Sequence, residues 1–96
     1  MNNLKVIDMK MYIKSNSVTN KIPAHVDRFL QDIAQMYDSD LKYSHIMDHN
    51  YTKSDISKLI SLSRAYYKSA DQLEDDVFET WVYDEVIPRI HDIFGI

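Results

Sequence analysis

The stretch Ile22-Pro23-Ala24-His25-Val26-Asp27-Arg28-Phe29-Leu30-Gln31-Asp32-Ile33-Ala34-Gln35-Met36-Tyr37 decides the fold class. Ile22, Val26, Phe29, Leu30, Ile33, Met36 and Tyr37 recur at the three- and four-residue intervals of one helix face. Asp27, Arg28, Gln31 and Asp32 fall on the other side. Pro23 suits the first helical turn, where its missing N–H costs nothing. The spacing predicts an amphipathic helix over 22–37.

Three more helices follow downstream. Asp38 or Ser39 is expected to cap a short helix over 41–47. His49-Asn50-Tyr51 then connects to Thr52-Lys53-Ser54-Asp55, which places an acid three residues after a hydroxyl, as a capping box does. The helix it opens is predicted to run to about Ser69, with Ile56, Leu59, Ile60, Leu62, Ser63, Tyr66 and Tyr67 inward. A last helix is expected to start at Ser69 or Asp71, with Leu73, Val77, Phe78, Trp81, Val82, Val86 and Ile90 on its apolar face. Pro88 should kink or end it, and Gly95 should stop it. Upstream, over 4–14, Met9, Met11 and Ile13 alternate with Lys10, Tyr12 and Lys14, and Leu4, Val6 and Ile7 continue the pattern with one phase slip, which reads as a strand, with Val18-Thr19 as its short return. The expected fold is mainly α: a compact bundle of about four helices with an N-terminal β-strand or short hairpin.

Composition bounds the rest. The 96 residues include one Gly, two Pro and no Cys, and the formal charge is −4. That length suits one domain over 1–96. Without Cys there is no disulfide framework and no thiolate nucleophile. One glycine cannot build a phosphate-binding loop. A net acidic chain runs against general nucleic-acid binding, which is driven by phosphate neutralisation. No apolar run approaches the ~20 residues that span a bilayer, and Met1–Lys5 leads into no secretory core. The expected location is cytoplasmic, the host cytoplasm if the chain is phage-encoded.

The charge is unevenly placed. Residues 71–85 hold seven acids (Asp71, Glu74, Asp75, Asp76, Glu79, Asp84, Glu85) and no base, which leaves the remainder mildly basic. Such a strip is a solvated helix face or a surface that docks on a basic partner. Seven tyrosines are too many for a core this size, and Tyr and Trp favour interfaces. The residues assigned to partner binding are Tyr66, Tyr67, Trp81 and Tyr83, rimmed by Glu74, Asp75, Asp76 and Glu79. Arg64, Tyr66, Tyr67 and Lys68 also interleave bases with aromatics, as nucleic-acid stacking sites do.

Catalytic chemistry is not assembled. No Gly-x-Ser-x-Gly elbow is present. His45 and His49 lie four apart, but two imidazoles supply only two ligands, so surface histidines are the better reading. His25 and His91 read as structural. Glu85 stands four before Arg89, the favourable order for a helix salt pair. No catalytic residue, metal or cofactor is expected.

The segment Phe78-Glu79-Thr80-Trp81-Val82-Tyr83-Asp84-Glu85-Val86-Ile87-Pro88-Arg89-Ile90 resembles the C-terminal segment of phage antirepressor domains of the Bro-N type. It matches at Phe78, Trp81, Val82, Glu85, Val86, Ile87, Pro88 and Ile90. The larger, glycine-containing sheet region of that family has no counterpart here, and His91-Asp92 replaces the basic residues that usually follow. The resemblance implies a phage or prophage regulator without by itself carrying DNA binding over. The leading expectation is a small phage- or mobile-element-type protein that binds a host or viral protein stoichiometrically, as an inhibitor, antirepressor or anti-defence factor. The alternative is a DNA-binding transcriptional regulator of Bro-N type, supported by Lys53, Lys58, Arg64 and Lys68; a homodimer is one arrangement open to it.

Overall fold

The computed structural model describes residues 21–96. The predicted strand and its return over 4–19 lie outside the described residues. The elements are α1 (Ala24–Met36), α2 (Tyr43–Asp48), α3 (Lys53–Gln72), α4 (Asp75–Trp81), a π turn (Val82–Val86) and α5 (Ile87–Phe94). The last three follow one another without a break, so the described residues form four helical rods and none of them lies in an extended strand segment. α1 packs on α2 and α3, and α3 packs on α4 and the π turn.

The core forms where the periodic faces meet. Val26, Phe29, Leu30 and Ile33 of α1 lie against Leu59, Leu62 and Tyr66 of α3 and Val82, Val86, Ile87 and Ile90 of the last rod. Each fully buried large apolar side chain contributes about 1.5–3 kcal/mol from removal of its surface from water. Ser63 is buried among them and stays satisfied because its hydroxyl donates to the Ile60 carbonyl at 3.0 Å. Ile46 of α2 joins this core, with Leu41 and Tyr51 from the segments on either side of it. Met36, expected on the inward face, is 68% exposed, because α1 has reached its last residue there and no helix of the described residues covers it.

The capping box at the start of α3 forms as the spacing predicts. The Asp55 N–H donates to Thr52 Oγ1 at 3.0 Å, and the Thr52 N–H donates to Asp55 Oδ2 at 3.1 Å. Two helix starts differ from expectation. α2 begins at Tyr43, not Leu41, and neither Asp38 nor Ser39 caps it. Leu41 is drawn into the core instead, and the Lys42 N–H donates to His45 Nδ1 at 2.9 Å across the first turn. α3 continues to Gln72 and the last rod starts at Asp75, because nothing in Ser69-Ala70-Asp71-Gln72 stops a helix. The acidic strip therefore straddles two helices. Asp71 lies in the last turn of α3, while Asp75 and Asp76 occupy the first turn of α4, where the helix dipole favours them.

Pro88 does not end the last rod. Its missing N–H and its ring remove one rung of the regular ladder. The turn before it widens, and the Ile87 N–H donates to the Val82 carbonyl five residues back. Pro88 then opens α5. The extra residue in this turn holds the phase back by about 100° relative to a regular helix. Val82, Val86 and Ile90, spaced at strict fours, would otherwise drift by roughly 80° over two steps. With the lag they stay on the core side and Ile87 joins them. Gly95 closes the rod in the left-handed conformation (φ 69°), and the Ile96 N–H reaches back to the His91 carbonyl.

Partial burial pushes the Asp55 carboxyl up, but bonds from the Thr52 backbone, the His49 ring and the Thr52 hydroxyl outweigh it and hold it below the usual carboxylate range. A carboxyl lowered in the folded state stabilises above its unfolded value, and that contribution is lost as pH falls through the folded one. Asp55→Asn and Thr52→Ala should each cost about 1 kcal/mol at neutral pH. Thermal unfolding should show the Asp55→Asn deficit shrinking below about pH 4.

Candidate functional site

The residues assigned to partner binding separate into a buried hub and an exposed face. Tyr66 is 5% exposed and belongs to the core, so it is not a contact residue. Its ring packs against Phe29 (centroids 5.0 Å apart), Tyr67 (5.2 Å), Phe78 (5.2 Å) and Tyr37 (6.4 Å). Its hydroxyl lies 3.3 Å from the Tyr37 hydroxyl. Burial, and then the Tyr37 hydroxyl, push the Tyr66 phenol far above its ordinary value, so it stays neutral.

Around this hub the other aromatics part company. Phe78 leads to Trp81 (6.0 Å), which is half-buried on α4. Tyr37 leads to Tyr83 (5.6 Å) on another side. Tyr83 is at the margin of exposure and serves the structure, since its hydroxyl accepts the Asp38 N–H at 3.0 Å. His91 Nε2 accepts the Asp40 N–H at 3.2 Å, so two bonds from the last rod pin the loop between α1 and α2. Tyr67 remains exposed beside Tyr66, and partial burial with the nearby Asp32 charge raises its phenol, partly offset by Arg28.

The exposed face is α4. None of its residues is buried. Glu74, Asp75, Asp76 and Glu79 all face solvent. Val77 is 51% exposed and lies four residues from Trp81, so the two make an apolar ridge. A shallow groove of about 420 Å³ beside the ridge is lined by Asp76, Val77, Thr80, Trp81, Asp84 and Glu85. Leu73, at the turn before α4, is also partly exposed. The periodicity places Val77 and Leu73 in the core; the helix boundary at Asp75 turns them outward. Glu85 and Arg89 form the predicted pair at 3.4 Å, exposed and therefore weak.

His45, His49 and His91 are engaged with backbone or carboxylate groups, whereas His25, expected to be structural, is exposed on α1. His49 ends α2, and its Nε2 lies 3.2 Å from Asp55 Oδ2. Its ring packs on Tyr51 (4.8 Å) and Phe94 (4.7 Å). The Tyr51 hydroxyl donates to the Ile46 carbonyl at 2.7 Å, and burial, followed by the Asp27 and Asp55 charges, pushes it up to about 12. His45 and His49 thus face different partners, and no group of three or more His, Asp or Glu side chains among the described residues is placed to hold a metal. Among the same residues no helix is long and apolar enough to cross a membrane.

Compared with protein-family models, with curated proteins and with solved structures, the chain finds no match.

Tyr66→Ala should remove about 3–5 kcal/mol of stability, in the range of large aromatic deletions from a core. Tyr83→Phe should cost only about 1 kcal/mol, from one lost hydrogen bond. Denaturant titration of the two variants checks this ranking, and equal losses would place Tyr66 outside the core.

Proposed function

We propose that this chain is a small protein of phage or mobile-element type that acts by stoichiometric binding to a host or viral protein in the host cytoplasm. It would serve as an inhibitor, antirepressor or anti-defence factor, with no enzymatic step. The observation that carries the reading is α4, a helix without a buried residue. It offers the Val77–Trp81 ridge, flanked by the exposed acids Asp75, Asp76 and Glu79. A half-desolvated Trp within an acidic rim suits a partner that presents an apolar pocket edged by Lys or Arg. The acids speed encounter and set orientation, and the ridge supplies the area.

The phage assignment rests on the resemblance over 78–90. Of its matched residues, Val82, Val86, Ile87 and Ile90 are buried and Pro88 shapes the π turn, so the shared pattern is largely one of packing. The alternative, a DNA-binding regulator, draws on the exposed Lys53, Lys58, Arg64 and Lys68 of α3. The charge of −4 weighs against it.

Affinity capture from host cells tests the first reading. Val77→Ser with Trp81→Ala, in protein of unchanged helical content, should lose the captured partner at least tenfold, while Met36→Ser should not. Retention of every partner by the α4 variant would overturn it.

A further inference from the structure

A second groove lies on a different part of the surface. It runs between α3 and α5 with a volume of about 550 Å³. Ser57, Ser61 and Ala65 line it at four-residue spacing, beside Leu62 and Ile93. Lys58 and Arg89 edge it, with Asp92 the acid among its lining. Exposed Arg64 and Lys68, each three residues after Ser61 and Ala65 in turn, adjoin the small-residue row on α3. Small side chains in such a row let another helix approach closely, because interaxial distance depends on the side chains at the contact.

α4 has the complementary shape and charge. Its ridge is bulky where the groove is small, and it is acidic where the groove is basic. The two surfaces share no lining residue. They cannot meet within one chain, because α4 continues through the π turn into α5 and cannot lie alongside its own continuation.

We propose that α4 of one copy seats in the α3/α5 groove of a second copy. Val77 and Trp81 lie over Ser57, Ser61, Ala65 and Leu62, and Asp75, Asp76 and Glu79 face Lys58, Arg64, Lys68 and Arg89. The Glu85 pair with Arg89 is exposed and yields readily to a competing carboxylate. A two-fold dimer makes this contact twice, and a single contact repeated head to tail makes a ring or a filament. The inference rests on the reading of α4 as a docking face and names one occupant for it, so a second copy and an outside partner compete for the same ridge.

Charge exchange in purified full-length protein tests it by sedimentation velocity at low and high salt. The native protein should self-associate with concentration, and salt should weaken the association at least tenfold, since exposed charges are screened beyond about 10 Å at ~0.1 M. The α4 variant (Asp76→Lys, Glu79→Lys) and the groove variant (Lys58→Glu, Arg64→Glu, Lys68→Glu) should each stay monomeric, and their equimolar mixture should associate again. Trp81→Ala, which keeps every charge, should also stay monomeric. A native protein that remains monomeric at high concentration and low salt, or a mixture of well-folded variants that fails to associate, would overturn the proposal. The groove variant should still capture an outside partner through its intact α4. Capture that depends on α4 without self-association would therefore remove the second copy and leave the outside partner standing.

Discussion

The Tyr66 ring touches aromatic rings from α1, from its own helix and from α4, and the hydroxyl of this buried side chain needs a hydrogen-bond partner. Tyr37 meets that need from the end of α1. The pairing brings the loop after α1 close to the last rod, where Tyr83 and His91 accept its backbone N–H groups. An apolar residue in place of Tyr66 would fill the same space but would not demand Tyr37. A polar atom in the core is costly to leave unpaired, and that cost makes the arrangement specific. α1, α3 and the last rod are held in one relation by a single buried phenol and the groups that answer it.

This division of labour sorts the aromatics. Phe29, Tyr37 and Phe78 pack on the hub, Tyr83 ties the loop after α1 to the last rod, and Tyr67 and Trp81 are left toward the surface. Trp81 sits at the boundary, with Phe78 behind it and acids around it. A residue half-buried in the free protein is already partly ordered, so completing its burial against another molecule costs little side-chain entropy. A docking ridge of this kind is stiff before it binds.

Much of this is legible in the residues themselves. The α1 face, the α3 face and the Thr52–Asp55 box follow from period and local chemistry, which act within a few residues. Leu41, Ile46 and Tyr51 are not visible as core, because one short helix and its flanking connections span too few residues for a period to be read. Period puts Tyr66 on the inward face of its helix, but composition points it toward a binding surface, because composition counts tyrosines without saying which one finds a hydroxyl partner 29 positions away. The boundary between α3 and α4 falls several residues later than the acids suggest. Acids mark a helix start only when a break precedes them, and none precedes Asp71. Moving that boundary is what turns Leu73 and Val77 from core to surface.

The widened turn at Val82–Val86 makes the winding of the chain a coded quantity in this protein. Between Trp81 and Ile87 the width of the turn matters as much as the identity of its residues. Wound as a regular helix, the same residues would turn every side chain beyond the joint by about 100° about the axis. Ile90 would swing away from the core and the Arg89 edge of the α3/α5 groove would turn with it. α4, upstream of the joint, would keep its heading. The facing of the two ends of one rod is thus set by a single widened turn, which fixes how the acidic ridge is aimed relative to the rest of the surface.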